Sequence, residues 1–171
     1  NLDGAGADGV LTCEEREAVT ALDLSGLGLT SLDHLAAFPN LKSLNCSQNQ
    51  LTALDLSGNP ALEQLSCGNN RLTELDLSQN PALRYINCNF NRIKSLNLSG
   101  KSALTALYCE MNQMETLDLS GCTALLTLYC RNNQLTELDL TDNGNLEFIE
   151  TFDNRLTSID VGHLTNLRFL H

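Results

Sequence analysis

The sequence predicts a repeat solenoid built mainly from short parallel β-strands. Leucine recurs every 21 residues without an insertion, at Leu41, Leu62, Leu83, Leu104, Leu125, Leu146 and Leu167. Around the second leucine of each unit, apolar residues alternate with polar ones, which is the pattern of a short strand. No half-unit has the length or the capping residues of an α-helix. Since one unit cannot bury its own leucines, only a stack of units makes a continuous core.

Each unit has two similar halves. The pattern L-x-x-L-x-C-x-x-N-x-L returns ten residues later as L-x-x-L-D-L-S-x-N, which predicts one short strand on each side of a flattened coil. Six repeats of 21 residues span 41–166, after an irregular first repeat at 20–40 and before a partial repeat at 167–171. We number positions within a repeat from its first leucine, so that Leu41 is position 1, and we number the coils 1 to 7 from Leu41 onward.

This pattern resembles the leucine-rich-repeat consensus, with Cys in the last apolar place of the strand. The nested halves are similar to the short, 21-residue bacterial class of these repeats. The resemblance covers residues 20–171 and implies a right-handed leucine-rich-repeat coil with little helix outside an N-terminal cap. It also implies a secreted or cell-surface protein of a bacterium. A cytoplasmic location stays open, because so many free cysteines argue against a strongly oxidising environment.

Composition limits the function classes. Hydrophobic residues make up 42 % of the 171 residues, aromatic residues only 5 %, and there is no Trp, so the core must be aliphatic. The net charge of -11 argues against nucleic acid and against an anionic membrane surface as partners. No apolar run approaches the roughly 20 residues that span a bilayer.

The sequence contains no arrangement typical of catalysis. It has no G-x-S-x-G, P-loop or H-E-x-x-H motif. The three histidines, His34, His163 and His171, lie near turns or ends, and none shares a repeat with the other members of a plausible triad. We therefore expect a non-catalytic protein.

Five of the seven cysteines share position 6. This cysteine ladder is Cys46, Cys67, Cys88, Cys109 and Cys130, with Thr151 taking the place in coil 6. Disulfides or a metal ladder are one interpretation. However, stacked side chains on parallel strands point the same way, whereas a disulfide needs converging Cβ atoms, and no C-x-x-C occurs as zinc sites favour. We expect reduced, buried thiols; Cys13 and Cys122 lie outside the ladder.

Two polar rows recur with the same period. The asparagine ladder at position 9 is Asn49, Asn70, Asn91, Asn112, Asn133 and Asn154. We expect it to bond backbone groups that the bend leaves unpaired. The aspartate row at position 15 is Asp55, Asp76, Asp118, Asp139 and Asp160. We expect it to form a solvated, turn-bonding surface rather than a calcium site.

The aromatic residues are concentrated on one side. All but Phe38 fall in the first half of a repeat, beside the inward positions, and neighbours of inward strand residues point outward. The second-half strands carry no aromatic residue in their outward positions, which vary little. Such a surface is typical of protein recognition, and the predicted contact residues are Tyr85, Phe90, Tyr108, Met111, Tyr129, Arg131, Phe148, Glu150, Phe152 and Phe169. A glycan-binding platform is an alternative, and so is a structural spacer whose rings only rigidify the sheet.

Residues 1–19 do not fit the repeat and are expected to cap the array. Asp8-Gly9-Val10-Leu11-Thr12 with Glu15 resembles the second half of an EF-hand or dockerin calcium loop, although Gly4 and Gly6 replace expected chelators. The weak calcium candidates are Asp3, Asp8 and Glu15, and no other metal or cofactor is expected. The alternative is a capping box, Thr12-x-x-Glu15. It would start a helix through about Thr20, which would cover the first coil with Leu11, Ala18 and Val19.

The last residues finish in mid-strand. Phe169, Leu170 and His171 begin a seventh coil without completing it. Either the native chain continues, or the exposed strand edge pairs with another copy in an end-to-end homodimer.

Overall fold

A computed structural model describes residues 11–171 and shows a parallel β-solenoid of about seven turns with almost no helix. One sheet has eight strands: β1 (Ala21–Asp23), β2 (Ser43–Asn45), β3 (Gln64–Ser66), β4 (Tyr85–Asn87), β6 (Ala106–Tyr108), β8 (Thr127–Tyr129), β9 (Phe148–Glu150) and β10 (Phe169–Leu170). A second sheet has two strands: β5 (Ser95–Asn97) and β7 (Thr116–Asp118). The helices are α1 (Cys13–Ala18) and a 3₁₀ helix, Leu35–Ala37.

The large sheet keeps the register that the 21-residue period predicts. Leu44 pairs with Leu65, and Leu65 with Ile86, so every strand meets the equivalent residues of the next coil. The middle residue of each paired strand from β2 to β9 is buried, while its two neighbours are at least partly exposed. The predicted alternation is therefore confirmed for this side of the coil.

The second half of the coil differs from the prediction of a strand on each side. Among residues 11–171, only β5 and β7 pair there. Shallow grooves open between the other coils, such as a channel of about 620 Å³ lined by Leu54, Leu75 and Lys101. Among residues 11–171, no backbone ladder forms across these grooves. The expectation of strands on both sides is thus correct for two coils only.

The core is a stack of aliphatic side chains and thiols. Position 1 leucines such as Leu62 and Leu83 are completely buried, as are the cysteines at position 6. Burying one leucine side chain contributes roughly 1.5–3 kcal/mol. Because identical positions stack on each other, each coil completes the burial of the one before it.

The asparagine ladder bonds the backbone as predicted. In coil 4 the Asn112 Nδ2 group donates to the carbonyls of Cys88 and Cys109, each at 3.1 Å. Its Oδ1 accepts from the Ile93 N–H at 3.0 Å. The side chain therefore joins two successive coils at the bend, and the same contacts recur along the array.

A second ladder, at position 19, was not expected from the sequence. Its side chains donate to the position 16 carbonyl of the preceding coil: Asn59, Asn80, Lys101, Cys122 and Asn143. Lys101 takes the place of asparagine, and its Nζ lies 2.7 Å from the Leu77 carbonyl oxygen. Desolvation lowers the pKa of Lys101. Because the residue type varies at this position, the sequence alone does not predict the ladder.

The aspartate row closes turns. Oδ1 of Asp118 accepts from the Ser120 N–H at 2.9 Å, and Asp139 bonds Thr141 in the same way. These donors lower the pKa of both carboxyl groups. In coil 3 Asn97 replaces aspartate and accepts from the Ser99 N–H at 2.9 Å, so either side chain can supply the oxygen that closes the turn.

The N-terminal capping box is present. Thr12 Oγ1 accepts from the Glu15 N–H at 3.2 Å, and Glu15 Oε2 accepts from the Thr12 N–H at 2.7 Å. The helix ends earlier than predicted, at Ala18, which is exposed. Extended backbone turns Val19 into the core at 8 % exposure, so Val19 and not the helix face covers the first coil.

The calcium candidates fall largely outside the described residues. Asp3 and Asp8 lie in the segment 1–10, and of the three only Glu15 is described, where its carboxylate serves the capping box. A calcium loop here stays a prediction.

Candidate recognition surface

The outward side chains of the eight-stranded sheet and of the turn that follows it form one surface, the first-half face. It comprises positions 2, 3, 5, 7 and 8 of each repeat. All ten residues predicted to contact a partner lie on it, and none belongs to the buried core. Phe90, Met111 and Phe169 are 47 %, 41 % and 44 % exposed, and the other predicted aromatic residues are half-buried.

Three tyrosines form a continuous row across coils 3 to 5. The ring centroids of Tyr85 and Tyr108 are 5.6 Å apart, and those of Tyr108 and Tyr129 are 5.3 Å apart in an edge-to-face arrangement. Partial burial raises the pKa of Tyr108, and the neighbouring Tyr85 and Tyr129 add to the effect. These contacts support the sheet by cross-strand pairing, and they also hold the rings in fixed positions toward solvent.

Arg131 organises the neighbouring part of the face. Its guanidinium forms an ion pair with Glu110 and lies 3.6 Å from Glu150 Oε2. The same group sits 5.3 Å from the centre of the Phe152 ring, a cation–π distance. The Phe152 ring in turn lies 4.5 Å from the ring of His171. Charge and aromatic surface are thus locked together next to the tyrosine row.

Sequence reasoning missed how deeply this cluster is anchored. Glu110 is only 6 % exposed. The side-chain amide of Asn89, on the preceding coil, makes two hydrogen bonds to it. Asn89 Nδ2 donates to the Glu110 carboxylate at 2.6 Å, and Asn89 Oδ1 accepts from the Glu110 N–H at 2.6 Å. The sequence does contain an indication of these contacts, because Asn89, Glu110 and Arg131 share position 7 on successive coils.

Position 8 has an unusual backbone. All six residues at this position have positive φ, near +55°. Four of the six are polar: Gln48, Asn69, Asn132 and Asp153. Asn and Asp tolerate this left-handed conformation best. The other two are Phe90 at +55° and Met111 at +52°, both exposed. Large apolar side chains therefore stand at a strained position, facing solvent, on two adjacent coils.

The cysteine ladder lies beneath this face and is inaccessible. All seven cysteines are free thiols, and of these only Cys13 is exposed. Burial raises the pKa of Cys88 to about 12 and that of Cys122 to about 11. Among residues 11–171 no group of three or more His, Cys, Asp or Glu side chains is placed to hold a metal ion.

The opposite surface carries most of the acidic residues of coils 1 to 6. Its grooves are lined by the aspartate row and by residues such as Glu74, Thr116 and Glu137. No aromatic side chain lines those grooves among the residues that the structure describes. The aromatic residues and the acidic grooves are therefore separated onto two sides of the coil.

Comparison with known proteins identifies this architecture. A family model described as leucine-rich repeats in two copies matches residues 18–59 and 60–100. The fold is a leucine-rich-repeat solenoid. The functional domain of InlJ from Listeria monocytogenes, described as including a cysteine ladder, aligns with a TM-score of 0.83 and 31 % identity over 92 % of this chain. A cysteine ladder is thus described for this similar protein as well.

Two further leucine-rich-repeat relatives are bacterial. YopM from Yersinia enterocolitica aligns with a TM-score of 0.73 and 28 % identity over 89 % of this chain. The leucine-rich-repeat protein LIC12759 from Leptospira interrogans aligns with a TM-score of 0.83 and 24 % identity over 94 % of it. A search of curated protein sequences found no match.

The leucine-rich-repeat chain spans only part of these relatives. It covers 35 % of the InlJ and YopM chains and 47 % of LIC12759. None of the helices within residues 11–171 has the length and apolar character needed to cross a membrane.

Proposed function

We propose that this leucine-rich-repeat solenoid is a non-catalytic module that recognises a protein partner through its first-half face. The observation that carries the proposal is the restriction of every aromatic side chain except Phe38 to this one face, where they remain at least partly exposed from Tyr85 to Phe169. Exposed aromatic residues beside a fixed arginine are the usual anchors of protein interfaces. The tyrosine row and the Arg131 cluster supply both, held in place before a partner arrives.

The spacer alternative explains less of this face. Cross-strand pairing accounts for the contacts of Tyr85, Tyr108 and Tyr129. It does not account for Phe90 and Met111, which lie beyond the ends of their strands and cannot take part in cross-strand pairs. All six repeats have the same positive φ at this position, but Phe90 and Met111 stand there, exposed, where two coils carry the better-suited Asn, and this choice of residue supports recognition.

The proposal extends to location. We place the protein at the surface of a bacterium or outside the cell. The bacterial origin of the solved relatives and the repeat class that the sequence resembles support this location.

A display selection tests the proposed function although the partner is unidentified. Protein-fragment libraries are selected against the wild-type chain, and the affinity of each binder is then measured for two variants. The first combines Tyr108→Ser with Tyr129→Ser on the first-half face. The matched control combines Thr116→Ala with Glu137→Ala, which alters exposed residues of the same two coils on the opposite side.

The expected outcome is a loss of at least about tenfold, 1.4 kcal/mol, for the tyrosine variant and no change for the control. Equal loss in both variants, or loss in the control alone, contradicts the proposal. A lower melting temperature for the tyrosine variant, with no binder affected, favours the spacer. Capture on a glycan array that depends on the same tyrosines favours a glycan ligand.

A further inference from the structure

One edge of the first-half face carries unpaired arginines. The four basic residues at positions 2 and 7 of this face, Lys42, Arg84, Arg131 and Arg168, all form ion pairs with glutamates. Arg71 and Arg92, at position 10 of coils 2 and 3, have no carboxylate within 4.0 Å among residues 11–171. Both side chains are exposed. Six of the ten basic residues lie outside the ion pairs of residues 11–171, and of these only Arg71 and Arg92 share one position on adjacent coils.

The two guanidinium groups belong to a local basic edge. Arg71 and Arg92 occupy the same position on adjacent coils, whose backbones repeat about every 4.8 Å. Positions 7 to 12 of these coils, residues 68–73 and 89–94, contain no Asp or Glu, while Lys94 adds a third positive charge. Like charges stacked in this way repel each other. An anionic group bound between them would remove the repulsion.

Apolar groups stand directly beside the basic edge. Phe90 precedes Arg92 by two residues, and Met111 occupies the same position on the next coil. Both are exposed and both have the left-handed backbone that Asn69 and Asn132 adopt more easily. The fold thus places two large apolar side chains at position 8 of coils 3 and 4, two residues before the position that the unpaired arginines occupy on coils 2 and 3.

We propose that this edge, formed by Arg71, Phe90, Arg92 and Met111, docks an acidic segment of the protein partner in which carboxylates alternate with apolar side chains. The carboxylates lie between the guanidinium groups, and the apolar side chains cover Phe90 and Met111. The proposal rests on the proposed function and names the chemistry of the partner.

Charge distribution supports an acidic peptide at this edge despite the net charge of -11. The acidic row at position 15 lies on the opposite side of the coil. At physiological ionic strength, charges separated by more than about 8 Å are largely screened from each other. On coils 2 and 3 the charged residues of the edge are therefore Arg71, Arg92 and Lys94. The acidic residues Glu74 of coil 2 and Glu115 of coil 4 follow toward the opposite side.

The test uses a fluorescein-labelled peptide of alternating Glu and Leu, with anisotropy as the readout. Arg92→Glu reverses one charge of the edge. Arg155→Glu is the matched control, because Arg155 is exposed, has no ion pair among the described residues, and occupies position 10 of coil 6. The two variants change the net charge equally.

We expect Arg92→Glu to weaken binding about tenfold or more and Arg155→Glu to weaken it less than about twofold. Peptides with Lys in place of Glu, or with Ser in place of Leu, should bind weakly to the wild type. Equal effects of the two arginine variants would overturn the proposal, because they would show general electrostatic attraction. Absence of binding to the wild type would overturn it as well.

Phe90→Asn separates recognition from folding. Asparagine is the residue that coils 2 and 5 carry at this position, so the variant should fold and should melt no lower than the wild type. We expect it to weaken the binding of the Glu–Leu peptide at least about fivefold. Unchanged peptide affinity in this well-folded variant contradicts the apolar half of the proposal.

The two proposals can fail separately. If the peptide does not bind but display-selected binders depend on Tyr108 and Tyr129, the acidic segment is wrong and the proposed function stands. If the peptide binds through Arg92 while those binders ignore the tyrosines, the edge binds a ligand but the first-half face as a whole is not the recognition surface.

Discussion

Replacing Asn112 by alanine tests how much the asparagine ladder contributes to stability. The Asn112 side chain is the only hydrogen-bond acceptor that the described residues offer to the buried Ile93 N–H. Leaving such a group unsatisfied costs about 1–3 kcal/mol. The carbonyls of Cys88 and Cys109 lose one partner each but keep another, because the Asn91 and Asn133 amides also donate to them. We therefore expect a total loss of about 2–4 kcal/mol in the free energy of unfolding.

Urea unfolding followed by circular dichroism measures this difference. Gln113→Ala is the control, since Gln113 is the exposed neighbour on the same coil and its side chain makes no hydrogen bond within residues 11–171. The control should change stability by less than about 0.5 kcal/mol. A loss below about 1 kcal/mol for Asn112→Ala would contradict this expectation, because it would mean that water or a backbone shift satisfies the Ile93 N–H.

Four further predictions concern the thiols, the aspartate row, the Arg131 cluster and position 8. Iodoacetamide at pH 8 should add one label to the native chain, at Cys13, and up to seven after unfolding; rapid labelling of several thiols in the native state would contradict the buried ladder. Because hydrogen bonds lower the pKa of Asp118 below its ordinary value of 3.8, its charge stabilises the fold above about pH 4, and this contribution is lost as the pH falls through the lower, folded value. The melting temperature of Asp118→Asn should thus approach that of the wild type between pH 4 and pH 2. Arg131→Ala leaves the buried Glu110 without its cation and should cost about 2–3 kcal/mol by urea unfolding, whereas Arg168→Ala, which breaks an exposed pair, should cost less than about 1 kcal/mol. Phe90→Asn should stabilise the protein by about 0.5–1 kcal/mol in the same assay, and a loss of stability would show that the ring packs against the fold.

The sequence predicted the large sheet because one periodic signal controls it. A leucine at position 1 and a leucine or isoleucine at position 4 of every repeat leave a single register in which the apolar residues face inward. That register also predicted the outward direction of Tyr108 and the burial of Cys109. The asparagine ladder was predictable for the same reason, since its residue type hardly changes.

The remaining features depend on distances between coils, which a period does not encode. On the second side only β5 and β7 pair among the described residues, although the sequence of apolar and polar residues alternates in the same way in the unpaired coils. The ladder at position 19 could not be predicted because Asn80, Lys101 and Cys122 differ in type, although each donates to the position 16 backbone carbonyl of the preceding coil. The helix ends two residues earlier than predicted, and Val19, in extended backbone, is buried in the core instead of continuing the helix.

The contacts that anchor Arg131 could not be predicted from the sequence either. Within its own repeat, each member of the cluster is a polar residue of a common type, and nothing in that repeat alone indicates a contact. Only stacking of coils 3 to 5 brings Asn89, Glu110 and Arg131 into contact. The binding role of this cluster and of the tyrosine row stays a prediction.

The most direct test of recognition by the first-half face is a two-dimensional NMR titration of the labelled protein with a display-selected binder. We expect the largest chemical-shift changes at positions 3, 5, 7 and 8 of coils 3 to 6, including Tyr108 and Phe152. Changes confined to the opposite side, at residues such as Thr116 and Glu137, would show that the partner binds elsewhere.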